Sequence, residues 1–335
     1  GQRSAASRMI TDKVIEATPV SLPRRKGELP ELGEGSIWDA RSERLLWLDI
    51  AGAQLFRFDP ETGENEAFDL SKFSSSVTSV VPVSSEDDPS GDLVGLTARE
   101  GFATFNYRTG SFEWLPGSPD VAAGERFNDG KVDPAGRYWA GTLTRDPEGN
   151  VVEKVSTLYR RNLDGTIDAA LKQVSISNGV AWTLDGKMYF IDTPMAEVRV
   201  LDYDLKTGEL SNGRTCISGF TFDKTGFPDG CALDSEGKLW VARFNGGCAG
   251  RYDPETGALL AEVRLPPAGG RQVTSVAFGG DGLGDLYLTT AHEGLHGEEL
   301  ASRPLAGALF RVTRAQLESI GAAPGQVPNR LRLRS

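Results

Sequence analysis

The sequence lacks the features that mark several large protein classes. Its 36 lysines and arginines are outnumbered by 47 aspartates and glutamates, which gives a net charge of −11 over 335 residues. Nucleic acids and anionic membranes attract basic surfaces, so neither is an expected partner. No apolar run approaches the roughly 20 residues of a membrane-spanning helix, and helix-period patterns are scarce.

Cysteine is also rare. The three cysteines, Cys216, Cys231 and Cys248, are odd in number and form no Cys-x-x-Cys pair. Neither a disulfide framework nor a thiolate zinc site is therefore indicated. We expect three buried, reduced thiols.

The N-terminal segment lacks the apolar core of a secretory signal, because residues 1–17 are polar and charged. We therefore expect a cytosolic protein. Residues 1–15 are predicted to be flexible, and residues 1–8, which precede Met9, are interpreted as a cloning remnant.

Internal repeats are the strongest positive signal. A module with an Asp-Gly-type entry, a short apolar strand, a turn, an aromatic strand and a Thr-Gly turn recurs about every 40 to 50 residues, a period typical of propellers. Its clearest copies begin GEGSIWD, NDGKVDPAGRYWAGTL, NGVAWTLDGKMYFIDT and DGCALDSEGKLWVARF, and two diverged copies begin near Val77 and Thr274. With 40 glycines, few stretches could form long helices. The pattern predicts an all-β fold, a six-bladed β-propeller with four-stranded blades, over residues 16–320.

The rest of the pattern is structural. Five tryptophans stand at repeated mid-strand positions, where packing between blades is expected rather than sugar stacking: Trp38, Trp47, Trp139, Trp182 and Trp240. After Thr313 we predict a short helix and then a loose basic tail over residues 321–335. His292 and His296 lie in a glycine-interrupted segment, so a surface loop at the channel rim is favoured over a metal pair with Glu293.

Four oxygen-bearing side chains occupy matching positions in the repeat: Glu34, Asn128, Asn178 and Asp229. Inner strands of a propeller begin near one mouth of the channel, so these residues are expected to converge. Two carboxylates and two amides form a hard oxygen site suited to Ca²⁺, Mg²⁺ or Mn²⁺, and less to Zn²⁺. Taken singly, each Asn-Gly or Asp-Gly is as readily a turn, and Glu34 alone could be a surface residue.

The chain resembles the senescence marker protein/gluconolactonase/luciferin-regenerating enzyme family. The resemblance runs from about Glu31 to Thr313 and is carried by LGEGSIWD, RFNDGKVDPAGRYWAGT, SISNGVAW, YFIDT, DYDLKTGEL and PDGCALDSEGKLWVARFNGG. It implies a six-bladed propeller with a metal at one end of the channel. It also implies that Glu34, Asn178 and Asp229 are metal ligands, with Asn128 at or near the metal.

The resemblance further implies hydrolysis of a sugar (aldono) lactone. Asp229 would take a proton from the attacking water, while Arg126 and Asn128 would orient the substrate. Asp146 falls where animal aldonolactonases of the family carry a glutamate, so it is a candidate substrate contact or a plain loop residue. The cofactor would be one divalent ion, with Ca²⁺ preferred and Mn²⁺, Mg²⁺ or Zn²⁺ as alternatives.

Two rival functions remain open from the sequence. Relatives in the family include phosphotriesterases, and the same ion could polarise P=O. A calcium-binding propeller without turnover is the other rival, because a fold does not fix a function. The expected partner is a small-molecule lactone, and the expected assembly is a monomer or small homo-oligomer.

Overall fold

Six antiparallel sheets form a ring in the computed structural model, which describes residues 11–20 and 29–333. Two short strands come first, β1 (Val14–Glu16) and β2 (Thr18–Pro19). The first three blades are β3–β6 (Gly33–Asp39, Arg44–Asp49, Gln54–Phe58, Asn65–Asp69), β7–β10 (Val77–Pro82, Leu93–Ala98, Gly101–Asn106, Phe112–Trp114) and β11–β14 (Glu125–Val132, Tyr138–Thr144, Ser156–Arg161, Ile167–Val174).

The remaining three blades repeat this order. They are β15–β18 (Ser177–Trp182, Lys187–Asp192, Glu197–Tyr203, Leu210–Ser218), β19–β22 (Phe227–Leu233, Leu239–Phe244, Cys248–Asp253, Ala258–Arg264) and a last blade with β23–β25 (Gln272–Gly279, Asp285–Ala291, Phe310–Val312). Among the described residues, two short α-helices occur, α1 (Gly297–Ala301) and α2 (Arg314–Ser319). The predicted six-bladed β-propeller and the short helix after Thr313 are confirmed.

The two N-terminal strands complete the last two blades. Strand β2 pairs antiparallel with β25 and becomes the fourth strand of the sixth blade, while β1 adds in parallel to β22 of the fifth. Val14 and Ile15 pair with Glu262 and Val263, so the prediction of a flexible segment through residue 15 is wrong at these two positions. Residues 1–10, which include the expected cloning remnant, lie outside the described residues.

The six innermost strands, β3, β7, β11, β15, β19 and β23, pack against one another around the central channel. We call the end where they begin the upper mouth, and the opposite end the lower end. Each of them carries a β-bulge near the upper mouth, where its register against the second strand of the blade shifts. A β-bulge changes the direction in which side chains point. The six bulges therefore determine which side chains face the upper mouth.

Aromatic side chains fill the space between blades. Trp47, Trp139 and Trp240 come from the second strands of three blades and are fully buried. The rings of Trp139 and Trp182 lie 5.7 Å apart, in the range of favourable aromatic pairs. The predicted packing role of the tryptophans is confirmed.

The lower end is built on buried ion pairs. In the turn after β11, the fully buried Asp133 accepts hydrogen bonds from Arg137 Nη1 (2.9 Å), Trp139 Nε1 (2.9 Å) and Tyr203 OH (2.6 Å). The turn after β19 repeats the arrangement, with Asp234 accepting from Arg251 Nε at 2.7 Å. Because every charge has a partner, these acids stabilise their turns.

The C-terminal tail crosses the lower end and closes it. Gln326 N donates to Leu233 O (3.3 Å) in the fifth blade, Asn329 Nδ2 donates to Val132 O (3.0 Å) in the third, and the fully buried Leu331 reaches Pro82 O (2.9 Å) in the second. The expectation of a loose basic end is therefore wrong for residues 321–333, because apolar Leu331 and the backbone groups of the tail find partners across the ring.

The cysteines form no disulfide with one another: Cys231 and Cys248 are buried and Cys216 is half-buried. Within residues 11–20 and 29–333, no helix has the length and apolar character required to cross a membrane.

Candidate functional site

The four side chains predicted to converge do lie together at the upper mouth. Glu34, Asn128, Asn178 and Asp229 come from blades one, three, four and five, and each is less than 8% exposed. The Asn128 amide joins two of these blades directly, since its Nδ2 donates to Asn178 Oδ1 and to Ser177 O, both at 2.9 Å. The mouth is therefore a connected polar cluster rather than four separate surface residues.

The β-bulge explains why these residue types occur beside glycine. Asn178-Gly179 and Asp229-Gly230 lie inside strands, at the bulge, and neither glycine has a left-handed φ. A Cβ on Gly179 would come within 2.6 Å of Asp229 O, because the inner strands approach closely there. The alternative that these dipeptides are ordinary turns is therefore wrong.

Glu34 does not occupy quite the predicted register. Asn128, Asn178 and Asp229 are each the first residue of the bulge, whereas Glu34 is the last paired residue before it, opposite Leu48. Gly35 takes the bulge position, with φ of +61°. A glutamate is one methylene longer than an aspartate, which gives it more reach from this offset position.

Asn178 is held in one orientation by a residue of the neighbouring loop. Its Nδ2 donates to Thr193 Oγ1 at 2.7 Å, and that hydroxyl donates in turn to Pro228 O at 2.8 Å. Asn178 Oδ1 is thereby turned toward the cluster. Thr193 was not predicted from the sequence. Its only signal is its place directly after the second strand of its blade, in YFIDT.

Among the residues that the structure describes, neither Glu34 nor Asp229 forms an ion pair. Burial raises the pKa of Asp229 well above its usual range, and the charge of Glu34 raises it further. Burial also raises the pKa of Glu34 to about 8, with the charge of Asp129 as the next cause. Asp229 Oδ1 is buried and has no hydrogen-bond partner in the described structure. A buried acid of this kind is costly unless a cation or proton satisfies it.

The donor set fits a hard divalent cation. Asp229 Oδ1, the Glu34 carboxylate and Asn178 Oδ1 are oxygen ligands of the kind that Ca²⁺ or Mg²⁺ prefers. Both amide oxygens already accept one hydrogen bond, but Asn128 is less suited to direct ligation, because its donor is the cationic guanidinium of Arg126 at 2.7 Å, whose charge opposes a metal cation. The described residues contain no cluster of three or more His, Cys, Asp or Glu side chains placed for a metal, so the site depends on amide oxygen as well.

Further charged residues line the mouth. Burial lowers the pKa of Arg126 to about 10, while the charges of Glu293 and Glu34 oppose that effect. Asp129, whose pKa is raised by burial, stands at the bulge position where the next two blades have Gly179 and Gly230. An alignment of the repeats could have shown that Asp129 is an acid at a position where two other copies have glycine. For Glu293, the only sequence feature was its place beside the histidines.

Asp146 lies in the loop after β12 and is engaged locally. Its carboxylate accepts from Asn150 N (2.8 Å) and Asn150 Nδ2 (3.1 Å), which closes a turn. A substrate contact by Asp146 stays a prediction. His292 and His296 lie in the loop after β24 that borders the mouth, and His292 N donates to Glu31 O at 2.9 Å.

The other two blades contribute hydroxyl groups instead of ligands. At the bulges of β7 and β23 stand Thr78 and Thr274, which hydrogen bond to Thr97 and Thr289 at 2.8 Å. Neutral hydroxyls in these places complete the ring without adding charge.

Comparisons with known proteins agree with this architecture. The family model described as "SMP-30/Gluconolactonase/LRE-like region" matches residues 32–292. Regucalcin of Danio rerio is 38% identical over 301 residues, covering 88% of this chain and 94% of that protein. YvrE of Bacillus subtilis, provisionally named a sugar lactone lactonase, is 39% identical over 295 residues, with coverages of 88% and 94%.

Solved structures give the same result for the fold. Luciferin-regenerating enzyme superposes with a TM-score of 0.78 at 28% identity, covering 91% of this chain and 96% of the other. A calcium-binding regucalcin from Agrobacterium tumefaciens superposes with a TM-score of 0.80 at 22% identity, covering 96% and 100%. On the family match and the identity to its relatives, the chain belongs to the SMP-30/gluconolactonase/LRE-like family.

Proposed function

We propose that this protein hydrolyses a sugar (aldono) lactone to the open-chain sugar acid, with a divalent cation held by Glu34, Asn178 and Asp229. The observation that carries the proposal is the buried, unpartnered Oδ1 of Asp229, which faces a second buried acid at the mouth. A purely structural turn would satisfy that oxygen. The sugar lactone lactonase name of a 39% identical relative supports the substrate class.

The cation would supply Lewis-acid chemistry, polarising an ester carbonyl and lowering the pKa of a water molecule. Ca²⁺ is the preferred ion because the ligands are all oxygens, as calcium sites require. A related structure carries the name of a calcium-binding protein. Mn²⁺, Mg²⁺ and Zn²⁺ remain to be compared in the assay.

Side chains of the protein would carry out proton transfer and substrate binding. Asp229 is the proposed general base: one oxygen of its carboxylate would hold the cation while the other takes the proton of the attacking water. Arg126 lies at 2.7 Å from Asn128, so the two side chains form one polar surface for substrate hydroxyls. Asp146, in the loop after β12, is proposed as a further substrate contact.

The proposal is tested by measuring acid release from a panel of five- and six-membered sugar lactones with each of the four metals. We expect metal-dependent turnover, and a fall of about 100- to 10,000-fold in kcat for Asp229→Asn, the range of general-base catalysis. Glu34→Gln should weaken cation binding. Asp168→Asn, which alters an exposed acid of β14, is the matched control and should behave as wild type.

Two outcomes would favour the rivals. Tight Ca²⁺ binding without turnover of any lactone would indicate a binding protein. Faster turnover of a phosphofluoridate than of any lactone would indicate a phosphotriesterase. If the chain hydrolyses a lactone but Asp229→Asn leaves its metal-dependent rate unchanged, Asp229 is not the base.

A further inference from the structure

An ion pair spans the upper mouth between opposite sides of the ring. Arg145 follows β12 in the third blade, and Glu293 follows β24 in the sixth. Their Nη2 and Oε1 atoms lie 3.5 Å apart, and each side chain is 40% exposed. Blades three and six face each other across the channel, so this contact passes over the site instead of along its edge.

Glu293 is anchored through its backbone, and Arg145 through both its backbone and its side chain. Gln272, nearly fully buried at the start of β23, donates from Nε2 to Glu293 O at 2.9 Å. On the other side, Arg145 N donates to Gly124 O and Arg145 Nη1 donates to Gly149 O, both at 2.9 Å. Only the side-chain contact has to change for the mouth to open. An exposed pair of this kind is weak, because solvent screens the attraction between its charges.

Glu293 also lies within electrostatic reach of the floor of the site. Its charge acts on the pKa values of Arg126, Glu34 and Asp229. The negative charge of Glu293 therefore offsets the positive charges of the two arginines at the mouth, Arg126 and Arg145. A substrate with its own negative charge would have to compete with Glu293 for these arginines, whereas a neutral substrate would not.

We propose that Glu293 is a specificity-determining residue, which with Arg145 forms a charge-selective gate that favours neutral polyol lactones over lactones carrying an anionic group. This inference rests on the proposed lactonase function. When the pair opens, the Glu293 carboxylate repels an anionic substituent, whereas a neutral substrate meets no such repulsion. Like charges brought together in this way are a common means of excluding wrong partners.

The test compares a neutral and an anionic substrate with the same lactone ring, D-glucono-1,5-lactone and its 6-phosphate, after subtraction of the spontaneous rates. In Glu293→Gln, kcat/KM for the phosphorylated lactone should rise about 10-fold or more, mainly through KM, as expected when a like charge is removed. The neutral lactone should change much less. Arg145→Gln in the same background should cancel the gain, because it removes the cation that Glu293→Gln releases.

The outcomes separate the gate from the activity. If wild-type protein hydrolyses the neutral lactone and Glu293→Gln leaves the ratio of the two substrates unchanged, the gate is refuted and the lactonase function stands. A gain that survives Arg145→Gln also refutes the gate as described. If wild-type protein hydrolyses no lactone with any metal, the proposed function fails and the gate fails with it.

Discussion

The two ends of the channel use buried acids in opposite ways. At the lower end, Asp133 and Asp234 are fully buried, and each accepts hydrogen bonds from an arginine and a tryptophan. At the upper mouth, burial raises the pKa values of both Glu34 and Asp229; the charge of Asp129 raises that of Glu34 further, and the charge of Glu34 raises that of Asp229. The fifth blade thus holds both a paired acid that stabilises the fold, Asp234, and a poorly paired acid available to a ligand, Asp229.

This difference separates stability from function along the axis of the ring. Functional sites commonly cost stability, because groups are held in arrangements that folding alone would not favour. Here each end can be altered without touching the other, which makes the comparison testable.

The largest effect is expected at the lower end. Asp133→Asn leaves Arg137 buried beside a neutral side chain, and breaking a buried pair costs about 3–5 kcal/mol in the free energy of unfolding. Denaturant unfolding of the metal-free protein measures it. Asp229→Asn is the matched change at the mouth and should leave stability equal or higher. Equal losses in the two variants would contradict the division of roles.

A smaller effect is expected beside the mouth. Thr193→Val keeps the shape of the side chain but removes the hydroxyl that accepts from Asn178 and donates to Pro228. Loss of such a supporting group should weaken Ca²⁺ binding by about 10- to 100-fold, measured by calorimetry. Thr193→Ser keeps the hydroxyl and should bind nearly as wild type. If both variants lose affinity equally, the hydrogen bonds are not the reason.

A third effect is a dependence of stability on pH. Burial raises the pKa of Glu34 from its ordinary 4.5 to about 8, so between these values the folded chain holds a proton that the unfolded chain releases. Stability of the metal-free protein should therefore fall as pH rises from about 5 to 8. Melting temperatures in chelator measure this, and added Ca²⁺ should reduce the slope. Glu34→Gln should reduce the slope, and Asp229 and Asp129, whose pKa values are also raised, account for what remains. An unchanged slope in that variant would disprove the assignment.

Much of this architecture could be predicted from the sequence, because the repeat fixes both blade number and position within a blade. Asn128, Asn178 and Asp229 lie at equivalent bulges of three blades. Because the blades surround one channel, these side chains converge. The offset of Glu34 could not be predicted, since hydrogen-bond register depends on Gly35 adopting a left-handed φ. The amino-acid sequence does not reveal which backbone conformation Gly35 adopts.

Contacts between distant segments were also beyond reach. Arg145 and Glu293 lie on opposite blades, and nothing in either local sequence indicates their pairing. The tail was misjudged for a related reason. Its RLRLR run is typical of a solvated end, but Leu331 finds an apolar site on the second blade that only the closed ring creates.

The closure of the ring by β2 has a consequence for biosynthesis. Thr18 is synthesised long before its partner Arg311. Because long-range pairings form slowly, the early blades must persist as an open arc with an uncovered inner face until β25 appears. A newly made chain is therefore most exposed to aggregation just before its final blade is complete.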